Sequence, residues 1–197
     1  MKGLDTLSIA AMSIPAELPA ASSLLDAARA GDLAAFDALM RQHERMVLVT
    51  ALRLTGSLAD AQDISQDVFL KLYQNLRKLD SPALSAWLYR VTVNACHDHR
   101  RRRRPEDPVD TAGELASPAA APDQFLTEAE RRRVLALSLR MLPEKERAAL
   151  VLRDLEGLST EETAHILGSS EATVRSQVSK ARVKVKDFVE RYFRRRS

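Results

Sequence analysis

Apolar residues recur along this chain at the spacing of helices rather than strands. Phe36, Leu39, Met40, Val47, Ala51 and Leu54 fall on one side of a helix that Asp32 can cap. Thr55-Gly56-Ser57 breaks the pattern and opens a second helix that buries Ala61, Ile64, Val68 and Leu72. Ser81-Pro82 reads as a cap followed by a first-turn proline, and Leu84, Trp87, Leu88, Val91 and Ala95 then form the inner face of a third long helix. Residues 105–122 lose the pattern. Pro105, Pro108, Gly113, Pro118 and Pro122 stand there among scattered acids, a composition that buries no core and reads as a flexible linker. Helical spacing resumes at Thr127, which with Glu130 makes a capping box. That helix ends near Leu142, and Pro143 begins another that runs through Asp154. No run of alternating residues calls for a sheet.

The last patterned stretch, residues 158–186, is the most informative. Ser159 caps a short helix, with Glu162 three residues on to complete a capping box, and Gly168 supplies the left-handed backbone just past its end. Ala164 is small where two helices cross closely. The helix after the turn puts Val174, Val178, Ala181 and Val185 on one side and Arg175, Ser176, Ser179, Lys180, Arg182 and Lys186 on the other. A helix-turn-helix whose second helix has a small apolar seam and a basic, hydroxyl-rich face suits the major groove. The plainer alternative is an amphipathic hairpin with a solvated charged face. The agreement of turn, crossing alanine and basic face in one register favours DNA.

Composition narrows the class. Of 197 residues 45% are hydrophobic but only 5% aromatic, so the core is built mainly of Leu, Val and Ala. The formal net charge is only +3, but it is segregated. Residues 97–104 and 175–196 are basic, while 59–67 and 106–114 are acidic, as separate surfaces for separate partners require. The single cysteine, Cys96, excludes an intramolecular disulfide and fits a reducing compartment. No apolar run is long enough to span a bilayer. Asp5, Pro15 and Glu17 interrupt any signal-peptide core, so residues 1–23 read as a flexible tail or an early start codon.

Three clusters bear on chemistry. Arg90, Asn94, His97 and Arg101 share one helix face that runs into five consecutive arginines at 100–104. Such a face attracts phosphates, Asn94 can read a base edge, and Trp87 or Tyr89 could stack on an unpaired base. Trp87 lies on the apolar side, so most of its ring belongs to the core. Asp60, Asp63 and Asp67 form an acidic face beside the second helix's apolar stripe, a pattern the helix dipole alone would favour. Cys96-His97-Asp98-His99 does not make a metal site, because adjacent helical residues point about 100° apart and the usual four-ligand zinc set is missing. No phosphate-binding glycine loop or nucleophile elbow is present, and no cofactor is expected.

These motifs, in this order, resemble the extracytoplasmic-function sigma factors of the sigma-70 family. The resemblance rests on AGDLAAFDALM, LTGSLADAQDISQDVFLKLY, AWLYRVTVNACHDHRRRR and LPEKERAALVLRDLEGLSTEETAHILGSSEATVRSQVSKAR. It implies an all-α chain of two small helical domains on a flexible linker. Residues 1–23 would be a tail, 24–104 a region 2 domain, 105–124 the linker, and 125–197 a region 4 domain, a helix-turn-helix (winged-helix-like) four-helix unit. It implies that Asp60, Asp63, Gln66 and Asp67 dock on the clamp helices of the core RNA polymerase largest subunit. Trp87, Arg90, Asn94, His97 and Arg101 would open and read the −10 element, with Asn94 near the captured base. Thr173, Arg175, Ser176, Ser179, Lys180 and Arg182 would read the −35 element. It also implies cytoplasmic action, control by an anti-sigma factor, and no catalysis. The stretch LDSPALSAW at 79–87 is shorter than in many relatives, and the RYFRRRS end lies outside the shared motifs.

Three other readings fare worse. A helix-turn-helix regulator of the response-regulator type would need an alternating strand-helix domain, for which the first half has no pattern. A metal-dependent nuclease would need ligands beyond the acidic face. A sigma-mimicking interaction module would not need intact basic faces.

Overall fold

The computed structural model describes residues 21–79, 83–103 and 127–194, and among them there are helices and no strands. Helix α1 is Ala21–Arg29, α2 Leu33–Thr55, α3 Leu58–Asn75 and α4 Leu84–Arg103. Helices α5 (Glu128–Arg140), α6 (Glu144–Leu150), α7 (Thr160–Leu167) and α8 (Glu171–Arg194) form the second unit. The Ser81-Pro82 cap, the linker at 105–122 and residues 1–20 of the expected 1–23 tail lie outside the described residues, and residues 21–23, expected to belong to that tail, are instead the first turn of α1.

Local signals set most of the boundaries. The Asp32 carboxylate accepts from the Ala34 and Ala35 N–H groups at 2.9 and 3.1 Å, satisfying donors that the first turn of α2 leaves open. Gly56 ends α2 at φ 75°, a backbone that favours glycine, and Ser57 then caps α3 through the Asp60 N–H. Thr127 caps α5 through the Glu130 N–H at 3.2 Å.

The stripes read from the sequence are buried where they were expected: Leu39, Val47, Ala51 and Leu54 on α2, Ala61, Ile64, Val68 and Leu72 on α3, and Leu84, Leu88 and Ala95 on α4. Phe36, Met40, Trp87 and Val91 are half-buried at the margin of this core. Helix α4 departs from the single-face expectation, because Tyr89, Val93 and Cys96 are buried as well. The second unit packs directly on it, and the two units share one continuous apolar core.

A polar seam binds the units. Arg147, 5% exposed, sends Nη1 to the Leu54 carbonyl of α2 at 2.6 Å and Nη2 to the Arg140 and Leu142 carbonyls at 3.0 Å each. Arg53 donates to Glu156 at 2.6 Å and to the Leu155 carbonyl at 3.2 Å, and the Tyr89 hydroxyl donates to the same Glu156 carboxylate at 3.3 Å. Burial, with the Glu156 charge and hydrogen bond behind it, pushes the Tyr89 phenol up to about 12.

One half-buried group should make stability acid-sensitive. His43 on α2 has Nε2 shut off from water without a hydrogen-bond partner among the described residues, and burial lowers its pKa from 6.5. Below about pH 6.5 the unfolded chain takes up a proton that the folded chain resists, so the neutral-pH stability is intact above that value and declines below it. In urea unfolding followed from neutral pH downward, His43→Leu is expected to flatten the first part of this decline. An unchanged pH profile would place the acid sensitivity elsewhere.

Candidate nucleic-acid interface

The helix-turn-helix forms as its sequence dictates. The Ser159 hydroxyl accepts from the Glu162 N–H at 3.1 Å while the Glu162 carboxylate accepts from the Ser159 N–H at 2.7 Å, so the capping box closes in both directions. Gly168 leaves α7 at φ 60°, and the Ser169 N–H returns to the Ala164 carbonyl at 3.0 Å. Ser170 caps α8 through the Thr173 N–H at 3.1 Å and pairs with the Thr173 hydroxyl at 2.8 Å. Val174, Val178 and Ala181 are buried, and Ala164 and Ile166 of α7 belong to the same core.

The opposite side of α8 is open. Arg175, Ser176, Ser179, Lys180 and Arg182 are all exposed on it, as the wheel predicted, and so is Thr173. Arg175 meets Glu171 one turn back at 3.0 Å, a surface pair that gives way easily. Arg182 is held differently, by two hydrogen bonds to Asp154 at 2.7 and 2.9 Å. Arg153 joins this face and, with Arg175, Val178, Ser179, Arg182 and Val183, lines a shallow hollow of about 350 Å³.

Arg153 and Asp154 border this face, a placement that the sequence does not predict. The sequence reads as one helix through Asp154, whereas the chain widens to a π turn at Val151–Leu155, with the Glu156 N–H reaching the Val151 carbonyl at 2.9 Å. That turn places both side chains beside α8. No local residue pattern marks it.

The α4 face is only partly free. Asn94 is exposed, as is Arg101, which meets Asp98 at 3.3 Å. Arg90, however, donates to the His165 carbonyl at the end of α7 at 2.8 Å, and His97 Nδ1 meets Glu144 of α6 at 2.5 Å. The second unit therefore covers part of the surface proposed to meet opened DNA. Trp87 is half-buried against the core. The suggestion that Tyr89 stacks on a base does not hold in this arrangement, because the residue is 8% exposed and its hydroxyl is committed to Glu156.

The acidic face of α3 also divides. Asp63, Gln66 and Asp67 are exposed together, and Leu70, 56% exposed, continues their side of the helix. Asp60 lies apart from them, with its side chain 18% exposed and an oxygen 3.3 Å from His99 Nε2. Among the described residues no group of His, Cys, Asp and Glu is arranged to hold a metal ion, and no helix is long and apolar enough to cross a membrane.

The fold and the α8 face define the class, a helical DNA-binding protein made of two units. Residues 39–106 match the Sigma-70 region 2 family and residues 132–185 match Sigma-70, region 4. The chain is 33% identical over 184 residues to the ECF RNA polymerase sigma factor SigE of Mycolicibacterium smegmatis, covering 90% of this chain and 71% of the relative. It is 32% identical over 186 residues to the ECF RNA polymerase sigma-E factor of Escherichia coli, covering 87% and 95%. Among solved structures it resembles CnrH in complex with the cytosolic domain of CnrY, with TM-score 0.64, 27% identity and coverage of 87% and 97%. It also resembles the sigma factor RpoE in complex with the anti-sigma factor NepR from Bartonella quintana, with TM-score 0.59, 26% identity and coverage of 76% and 96%. The chain belongs to the extracytoplasmic-function sigma factors of the sigma-70 family. It is a promoter-specificity subunit, working with core RNA polymerase on promoter DNA to start transcription.

Proposed function

We propose that the work of this sigma factor is divided among three faces. Arg175, Ser176 and Ser179, with Thr173, Lys180 and Arg182, meet the −35 duplex in the major groove. Arg90, Asn94, His97 and Arg101, with the edge of Trp87, hold and read the opened −10 strand. Asp63, Gln66 and Asp67, flanked by Asp60 and Leu70, dock on the clamp helices of the largest polymerase subunit. The division of the chain is then a region 2 unit at 24–104 and a region 4 unit at 125–197, joined by the 105–124 linker. The subunit acts in the cytoplasm, catalyses nothing itself, and is held in check by an anti-sigma factor. What chiefly supports this reading is the exposed basic face of α8 on a fully capped helix-turn-helix.

The free energy of docking and of phosphate contacts offsets the cost of opening the −10 duplex, a few kcal/mol for each base taken out of the stack. In the packed arrangement Arg90 and His97 are bonded to the second unit. This is the resting form, and the units part at α4 when the promoter is loaded.

Run-off transcription with core polymerase on genomic fragments tests the reading. A defined set of start sites is expected. Asp63→Lys with Asp67→Lys should weaken core binding at least ten-fold, as like-charge juxtaposition does. Arg175→Ala should leave core binding intact and cost about 1–3 kcal/mol of −35 discrimination. If charge reversal on α3 leaves core affinity unchanged, that face is simply solvated.

A further inference from the structure

We propose that Asp154 is a positioning residue for promoter binding, one that fixes Arg182 and Arg153 as a two-arginine clamp on the phosphate backbone at the rim of the −35 groove. The proposal rests on the reading of α8 as the groove helix and adds a residue outside the helix-turn-helix to it.

The geometry is that of a buttress. Asp154 Oδ2 accepts from Arg182 Nε at 2.7 Å and Oδ1 accepts from Arg182 Nη2 at 2.9 Å, so the guanidinium is gripped along one side. Oδ1 also accepts from Arg153 Nη1 at 2.9 Å, and Arg153 Nε donates to the Thr160 hydroxyl at 3.1 Å. The Asp154 side chain is 19% exposed against 59% for Arg182, so the carboxylate is the more covered partner and the guanidinium the more open one. The hydrogen bond from Arg182 comes first among the influences that hold the Asp154 carboxyl below its ordinary range.

A guanidinium has five N–H donors in a rigid fork. With Nε and one Nη2 hydrogen taken by Asp154, the outward end of Arg182 still presents a parallel Nη1 and Nη2 pair. That pair matches two oxygens of one phosphate. Position selects phosphate over base. Base edges are read by the N-terminal residues of a recognition helix, where Arg175, Ser176 and Ser179 stand, whereas Arg182 follows a further turn along α8. Arg153 comes from the π turn, off the helix altogether, yet shares the same carboxylate. Two arginines on different elements, tied to one acid, suit the wall of a groove rather than its floor. Arg175, tied only to exposed Glu171, stays free to turn toward a base.

The sign of one substitution decides between this role and a mere surface charge. Asp154→Asn removes a negative charge from the face that meets DNA. If charge alone mattered, binding would tighten and its salt dependence would steepen. If Asp154 aims the clamp, binding weakens despite the lost charge, because two arginines must be ordered by the DNA itself.

The test measures holoenzyme, the full chain with core polymerase, on fluorescent duplexes. One carries the −35 element of a promoter mapped by run-off transcription and the other a scrambled element, each across a salt series. Arg182→Ala is expected to weaken both duplexes equally and lower the salt slope by about 1. Asp154→Asn should also weaken both, about five-fold, with a shallower slope, and Asp154→Glu should recover part of the loss. Tighter binding by Asp154→Asn, or a loss that Asp154→Glu does not recover, overturns the proposal. Arg175→Ala separates this outcome from failure of the underlying reading. If it leaves discrimination between the duplexes unchanged, α8 is not the reader. If it erodes discrimination while Asp154→Asn tightens binding, only the positioning role falls.

Discussion

Replacing Arg147 by methionine is expected to destabilise the chain by about 2–4 kcal/mol, since each buried acceptor left without a donor costs about 1–3 kcal/mol. Methionine keeps much of the apolar stem and removes a buried charge, which offsets part of the loss. It cannot replace the donors. Nη1 serves the Leu54 carbonyl and Nη2 serves the Arg140 and Leu142 carbonyls, all at or just beyond helix C-termini, where backbone acceptors have no partner within the helix. The guanidinium also sits at the negative ends of α2 and α5, which favours its charge. For a chain of this size each kcal/mol shifts the melting temperature by about 2–4 °C, so a fall on the order of 8 °C is expected in calorimetry. Arg147→Lys retains the charge but lacks the fork and should fall between. Equal stability of Arg147→Met and the parent chain would show that water or rearrangement satisfies these carbonyls.

The same residue explains what was and was not legible in the sequence. Asp32, Ser57, Ser159, Gly56 and Gly168 were readable because a cap is settled within four residues of chain. The stripes on α2 and α3 were readable because each faces a single core. Arg147 looks like one more helix-surface cation until α2 and the end of α5 are brought to it. Tyr89, Val93 and Cys96 look like the outer side of α4 until the second unit packs there. The π turn at Val151–Leu155 has no residue signature, so the alliance of Arg153 and Asp154 with α8 could not be foreseen. In the candidate site, the exposed side of α8 itself was legible because it is one helix seen from one side. The α4 face was legible as a face, but its occupation by the His165 carbonyl and Glu144 depends on residues far away in sequence. Spacing and the family resemblance both group Asp60 with Asp63 and Asp67, and its proximity to His99 of α4 sets it apart.

Locking the two units together is expected to abolish promoter opening. His97 and Glu144 face each other across the seam with side chains 39% and 42% exposed, within reach of reagents. His97→Cys with Glu144→Cys can be joined by a bismaleimide carrying a disulfide in its spacer, which a reductant cleaves. In the parent chain burial first and the Glu144 charge second push the Cys96 thiol up to about 12; the double variant loses the Glu144 charge but keeps the burial, the larger cause, so Cys96 should compete little. The locked chain keeps α6 and α7 against α4, with the end of α7 beside Arg90 on the face proposed to take the opened strand. With the competent fraction near zero, the apparent affinity for opened −10 DNA falls with it. Run-off transcript should drop to background in the locked protein and return when the same sample is reduced. Comparing the two states of one double variant removes the direct effect of losing the imidazole. Transcription at equal rates before and after cleavage would mean that the packed arrangement already admits the opened strand, and that the units need not part at α4. The −35 duplex adds a control, since the α8 face stays exposed in the packed form. Locked protein that binds that duplex but fails to open the promoter would localise the block to α4, where the seam and the −10 face share residues.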